Sequence, residues 1–205
     1  MKRYFVTGIG TDVGKTIASA ILIEALNADY WKPIQAGDLE NTDTMKVRSL
    51  ISNTKSAFHP EAYRLCEPIS PHAAAITDGV KINMERFILP QTSNSLIIEG
   101  AGGLMVPLND EYFVIDLIEK FRAEAILVSR NYLGSINHTL LSVKALVSRN
   151  IPIAGIIFNG EPTKLSEEYI LKHTGLKFLF RIDKEPNIDK QTILKYASNL
   201  TINHF

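Results

Sequence analysis

The chain has 205 residues, of which 45% are hydrophobic and 21% charged, and its 22 basic and 22 acidic side chains cancel to a net charge of zero. That composition suits a globular domain with a real core and excludes a disordered chain. Neutrality leaves no electrostatic footprint for nucleic acid or an anionic membrane surface, and no apolar run reaches the length of a membrane span.

The first element is a strand over 3–7, with Tyr4-Phe5-Val6 at its centre. Gly8-Ile9-Gly10-Thr11-Asp12-Val13-Gly14-Lys15-Thr16 comes next, and an Ala- and Ile-rich helix over 15–26 follows at once. Strand, glycine loop, Lys-Thr and helix together make a phosphate-binding loop. Glycines let backbone N–H groups converge on a phosphate, the helix N-terminus adds positive potential, and Lys15 adds a full charge. The Thr16 hydroxyl can hold Mg²⁺. The alternative is a chance glycine turn before a helix. Gly8 and Gly14 are separated by five residues where the common motif has four, so this loop belongs to a subclass. Lys2 and Arg3 precede an apolar stretch that Gly8 and Asp12 interrupt, which is too short for a signal peptide; the expectation is a cytoplasmic protein.

Further strands are expected near 29–32, 94–99, 124–128, 152–158 and 177–180, with helices over 42–52, 83–89, 113–121, 135–149, 166–173 and 189–198. Ile97-Ile98 and Ile153–Phe158 are apolar on both faces, as parallel strands covered by helices are. The alternation predicts an α/β, P-loop NTPase-like three-layer fold, its mostly parallel sheet covered by helices on both faces, as one domain over 1–205. Residues 53–82, with Pro60, Pro68, Pro71 and Gly79, read as an insertion near the site. The single cysteine, Cys66, excludes an internal disulfide and a multi-cysteine metal site, and reads as a small buried hydrophobe.

Ligands of such a fold gather at the carboxyl ends of the strands. Glu99 ends the apolar run Leu96-Ile97-Ile98 and precedes Gly100-Ala101-Gly102-Gly103, so it is the natural second oxygen ligand of Mg²⁺; otherwise it is a surface carboxylate. Asp43 is a third candidate, although Thr42 or Asp43 could simply cap the following helix. Asp12 lies inside the loop and acts on the nucleotide or on loop geometry. Lys32 follows a short strand and could neutralise a transferring phosphoryl group, or be solvated. Ser135 could cap the helix from 135 to 149, whose free N–H groups could receive a carboxylate.

Taken in order, Gly8 to Thr16, Lys32-Pro33, Ser70-Pro71-His72, Glu99–Gly103 and Gly134-Ser135-Ile136-Asn137-His138 resemble the dethiobiotin synthetases over residues 3–160, including the five-residue loop spacing. The resemblance implies an ATP-dependent enzyme that turns 7,8-diaminononanoate, CO₂ and ATP into dethiobiotin, ADP and phosphate through a carbamate and a carbamic–phosphoric anhydride. It implies nucleotide binding by Gly10, Thr11, Asp12, Val13, Gly14, Lys15, Thr16, Ile17, Glu99, Gly102 and Asn159, and Mg²⁺ held by Thr16, Asp43 and Glu99. Lys15 and Lys32 would be catalytic. Thr11, Lys32, Ala36, Gly102 and Gly103 would face the diamine or its carbamate. Its distant carboxylate would go to the Leu133, Gly134, Ser135 and Asn137 helix start of the partner in a homodimer with composite active sites. No residue stands out as a dedicated general base.

Two departures carry consequences. Ala36 stands where the family often has a hydroxyl residue, and Phe180-Arg181-Ile182-Asp183 replaces a Gly-x-Ile/Leu-Pro turn beyond Asn159. The second implies a more open base pocket and weaker discrimination among triphosphates. The rivals are a partition-type ATPase, which would carry a further lysine near Gly8, and a glutamine-dependent amidoligase, which would need a second domain.

Overall fold

Gly, Pro and the switch of hydrophobic period divide the chain into short alternating elements. In the computed structural model, which describes residues 2–200, these run β1 (Arg3–Gly8), α1 (Lys15–Leu26), β2 (Asp29–Trp31), β3 (Ile34–Ala36), α2 (Asp43–Leu50), β4 (Phe58–His59), β5 (Tyr63–Leu65) and α3 (Pro71–Thr77). They continue with β6 (Leu96–Gly103), α4 (Val114–Phe121), β7 (Glu124–Arg130), α5 (Ser135–Ser148), β8 (Ile153–Asn159), α6 (Lys164–Thr174), β9 (Phe178–Ile182) and α7 (Lys190–Ser198). Seven strands form one sheet in the order β4-β2-β6-β1-β7-β8-β9, every neighbouring pair parallel, and β3 and β5 pair separately.

Side-chain alternation along the strands builds two cores. Tyr4 and Val6 of β1, Ile97 of β6 and Ile126 of β7 pack with Ala18, Ile21 and Leu22 of α1, Val47 of α2 and Ile193 of α7. Phe5, Leu96, Ile98 and Ala125 point the other way, onto Ile115, Ile118 and Phe121 of α4, while Leu127, Ile156 and Phe158 meet Val143 of α5 and Ile170 of α6. The runs Tyr4–Val6, Leu96–Ile98 and Ala125–Val128 are apolar on both faces because both faces are covered. Adjacent strands β1 and β6 therefore send their following helices, α1 and α4, to opposite faces. That divergence opens a crevice at their carboxyl ends, where doubly wound sheets bind ligands.

Sequence expectation and structure can be compared element by element. Residues 83–89 form only one 3-10 turn, Met84–Arg86, which Asn83 caps through its side chain. The segment 53–82 contains β4, β5 and α3, and its residues Pro68–Pro71 form a wall of the main cavity, as an insertion near the site should. Strand β6 continues through Gly103, so Glu99 lies inside it and not at its end. Cys66 is exposed, with its backbone N–H donating to Asp78, because it follows β5 in a turn outside both cores.

The pair β3–β5 ties the insertion to the site. The N–H of Gly37 donates to the carbonyl of Leu65 at 2.8 Å, and Gly37 has φ of +72°. A Cβ there would lie 2.5 Å from Cα of Pro68. Gly37→Ala is expected to destabilise the fold by about 2–4 kcal/mol, from left-handed strain plus the backbone clash. Denaturant unfolding checks this; a loss under about 0.5 kcal/mol, the range of an ordinary surface change, would show that the wall yields.

Candidate active site

The loop from Gly8 to Gly14 turns back over the end of β1. Asp12 and Gly14 take positive φ, 55° and 99°, and Gly14 is the N-cap of α1. Asn159, at the end of β8, donates its side-chain N–H to the carbonyl of Val13 at 2.8 Å. The space against Asn159 is so tight that a Cβ on Gly14 would lie 2.3 Å from its Nδ2. The loop is thus clamped by the strand two places across the sheet. Lys15 starts α1, is 8% exposed, and donates to the carbonyl of Gly10 at 3.1 Å.

A cavity of about 700 Å³ opens beside this loop. Thr11, Asp12, Gly14, Lys15, Thr16 and Ile17 line one side, Lys32, Ala36 and Asp43 another, and Glu99 and Gly102 the floor. Lys32 is not solvated: it is 3% exposed, and its Nζ lies 2.7 Å from Asp43 Oδ2, 3.0 Å from Glu99 Oε1 and 3.2 Å from the carbonyl of Gly100. The question of the α2 cap is also resolved. Thr42 is the cap, its Oγ1 accepting from the N–H of Met45, and the Asp43 side chain is left to face Lys32.

Glu99 is 1% exposed and fully engaged. Its Oε1 accepts from Thr16 Oγ1 at 2.9 Å as well as from Lys32, and its Oε2 accepts from the Tyr30 hydroxyl at 2.9 Å. Burial opposes the charge on Lys32, but Glu99 and Asp43 outweigh it and hold the ammonium above its ordinary range. Burial would likewise raise Asp43, and Lys32 beside it draws the carboxyl below its ordinary range. Tyr30 is pushed well up by burial and then by Glu99, so it remains a hydrogen-bond donor.

The Thr16 hydroxyl and the two carboxylates fit a magnesium ion. Mg²⁺ is usually held by one or two carboxylates with phosphate and water completing its shell. Among the described residues no three His, Cys, Asp or Glu side chains converge into a cage of their own.

Other expected site residues lie elsewhere. Gly10 and Val13 line a second cavity of about 400 Å³ with Arg130 and His138. Gly103 is on β6, close to Gly8 and Gly10, but does not line the main cavity. Leu133, Gly134, Ser135 and Asn137 line a third, mostly apolar cavity of about 830 Å³ at the start of α5, with Thr163, Ser166 and Tyr169 of the α6 region. Ser135 does not cap α5; Gly134 does, at φ of +106°, and Ser135 is the buried first residue of the helix. Arg181 is committed to Glu167 of α6, which also accepts from Asn131.

Sequence reasoning missed Lys46, Tyr30 and Tyr169. Lys46 is signalled by its place one turn after Asp43: it lines the main cavity and pairs with Asp38 at 2.7 Å. Tyr30 and Tyr169 carry no local signal.

A glycine loop between a central parallel strand and its helix, with Lys15, Thr16 and a buried acid on the neighbouring strand, defines a P-loop nucleotide-binding protein. The solved structures agree at the level of fold. MinD from Pyrococcus horikoshii, complexed with Mg-ADP, has a TM-score of 0.63 at 13% identity, covering 96% of this chain and 94% of that one. A ParA family ATPase from Chlorobium tepidum has a TM-score of 0.58 at 14% identity, covering 98% and 99%. The AAA domain family model matches residues 2–192. Sequence similarity is far closer to ATP-dependent dethiobiotin synthetases: 54% identity with that of Cytophaga hutchinsonii over the full length of both chains, and 55% with that of Christiangramia forsetii over 96% of this chain and 94% of the relative. The chain belongs to the dethiobiotin synthetase family, and it is an ATP-dependent ligase, not a partition ATPase.

Burial, and then the nearby charge of Lys32, lowers the Lys15 ammonium from 10.5 to about 8. The sign follows from linkage. Between pH 8 and 10.5 the folded chain binds fewer protons at Lys15 than the unfolded chain, so keeping Lys15 charged costs stability below pH 8 and that cost fades as pH rises. A bound polyphosphate favours the charged form. Binding of a non-hydrolysable ATP analogue should then take up about 0.9 proton at pH 9 and about 0.1 at pH 7, given full charging in the complex. Calorimetry in buffers of different ionisation enthalpy measures the uptake; equal values at both pH values would rule out a neutral Lys15 in the free protein.

Proposed function

We propose that this chain carboxylates 7,8-diaminononanoate with CO₂ and closes the ring to dethiobiotin, converting ATP into ADP and phosphate in a Mg²⁺-dependent reaction, with residues 1–205 as one catalytic domain. The observation that carries the reading is the meeting of Lys15, Lys32, Thr16, Asp43 and Glu99 at one end of a cavity large enough for two reactants.

The chemistry explains that grouping. One amine of the substrate adds to CO₂ and loses a proton, giving a carbamate. A carbamate oxygen attacks the γ-phosphorus as the bond to ADP breaks. The second amine attacks the carbonyl of the resulting anhydride and expels phosphate, leaving a cyclic urea. CO₂ is already electrophilic and needs no carrier. The obstacle is repulsion between two anions, carbamate and triphosphate, in a poorly solvated site. Lys15 and Lys32 present cations where those charges meet, and their burial makes each worth more than in water. Thr16, Asp43 and Glu99 would hold a magnesium ion, which would neutralise phosphate charge. Thr11, Ala36 and Gly102 would wall the diamine, positioning it without a dedicated base. Asn159, clamped to Val13, marks the nucleotide's base side.

Incubating the chain with diamine, bicarbonate, Mg²⁺ and nucleotide tests the activity. Phosphate release should require the diamine; release that ignores it would favour a nucleotide switch. Discrimination among ATP, GTP and CTP should be weak, given Phe180-Arg181-Ile182-Asp183 at the end of β9, and strict ATP dependence would refute the open base pocket. Lys32→Met should lower ring formation by at least about 100-fold. Mg²⁺–analogue binding should be no weaker, since a competing cation leaves the two carboxylates. Full activity in this variant would remove Lys32 from the mechanism.

The third cavity favours a homodimer. Leu133 is fully exposed, and Tyr132 and Tyr169 beside it are partly so, an apolar surface next to free helix N–H groups. We assign this surface to the partner's substrate carboxylate. Lys32→Met and a second inactive variant at Asn137 should complement on mixing, since a mixed dimer keeps one intact composite site; 1:1 mixing should restore about a quarter of wild-type turnover. No recovery after subunit exchange would place both ends of the substrate on one chain.

A further inference from the structure

Tyr30 is an unexpected residue to find at the heart of the phosphate end. It sits in β2, between β4 and β6, and its side chain is fully buried among apolar groups. Its ring meets Phe58 at 5.8 Å, and the Arg48 guanidinium closes over Phe58 at 4.8 Å. Its backbone N–H donates to the carbonyl of Ala57. A phenylalanine would fill this space as well. What the hydroxyl adds is one bond of 2.9 Å to Glu99 Oε2.

We propose that Tyr30 is a positioning residue for Glu99: its phenol fastens Oε2 inside the core and so turns Oε1 toward Thr16, Lys32 and the cavity. A carboxylate on a Glu side chain has a soft terminal torsion, broad and roughly two-fold. Without a partner at Oε2 the group can rotate and share its oxygens differently. With the phenol in place, Oε1 is left to Thr16 Oγ1 and Lys32 Nζ, at 2.9 and 3.0 Å. The donor comes from a strand of the central sheet and not from a loop, so the orientation is held by the stiffest part of the fold. Partners of this kind, one step behind a metal ligand, typically change metal affinity by 10–100-fold when removed. The proposal rests on the reading of Glu99 as a Mg²⁺ ligand.

Tyr30→Phe in the full chain tests it, with Glu99→Gln and the double variant in parallel. Mg²⁺ and Mn²⁺ are titrated at a fixed concentration of a non-hydrolysable ATP analogue, and analogue binding is repeated in EDTA. Tyr30→Phe is expected to weaken apparent metal affinity about tenfold. Analogue binding in EDTA should be unchanged, and turnover at saturating Mg²⁺ should stay within a few-fold of wild type. In the Glu99→Gln background the same change should add nothing, as a coupled pair requires. This background also keeps the test open should the single variant fold poorly, because a neutral amide tolerates the missing donor better than a buried carboxylate does. A lowered Tm with unaltered metal dependence would overturn the proposal, reducing Tyr30 to a structural role. An equal loss of metal affinity in both backgrounds would overturn it too. If Glu99→Gln itself leaves metal dependence untouched, the ligand assignment fails first. If Glu99→Gln shifts it and Tyr30→Phe does not, only the role of Tyr30 falls.

Discussion

The ammonium of Lys32 between Asp43 and Glu99 is the interaction on which the site depends. Three charged groups are withdrawn from water together, Lys32 and Glu99 almost completely and Asp43 for the most part. Burying charges is costly, and well-packed apolar side chains of the same volume are often as stable or more so. The cluster therefore reads as an arrangement kept for chemistry. It gives each carboxylate a fixed direction, and it stores a cation a short distance from the phosphate loop. Net charge at that point is close to balanced in the free protein, so an incoming anion meets Lys15 as the less committed of the two lysines. Burial, and then the charge of Lys32, lowers Lys15, whereas Glu99 and Asp43 hold Lys32 up against its own burial.

The sheet supplies the precision. Glu99 and Tyr30 come from adjacent strands, β6 and β2, and the glycine loop leaves β1 on the other side of β6. Register across these strands is set by side chains that must all find the correct core. A slip of one residue would turn Glu99 to the α4 face and Ile98 into the site. The apolar packing of Tyr4, Phe5, Ile97 and Ile98 thus positions the charges it surrounds.

How much of this could be read from the chain varies with the kind of signal. The phosphate loop was legible from its glycine spacing and Lys15-Thr16, and the helices α1, α4, α5 and α7 and the strands β1, β7 and β8 from apolar runs long enough to show an element. Short strands such as β3, β4 and β5 are two or three residues long, too brief to show a period; β4 and β5 disappeared into the insertion, and β3, outside it, carries no signal of its own. The helix expected over 83–89 failed because Met84, Phe87 and Ile88 imitate a helical stripe, while only Phe87 is buried. Cys66 was misjudged from residue type alone, and Ser135 because a glycine with positive φ took the cap before it. Lys32 and Asp43 could be proposed but not paired, since eleven residues and a bend separate them. The Tyr30–Glu99 bond spans 69 residues and was beyond any local reading.

The glycine at position 37 has a wider meaning. Its turn binds the end of β3 to Leu65 and presses on Pro68, so the insertion is anchored where it walls the main cavity. A canopy pinned in this way has no hinge at that edge. Lys46 and Asp38, which line the cavity near that edge, pair at 2.7 Å and are partly exposed, so rotamer changes there can alter its opening without any movement of the backbone.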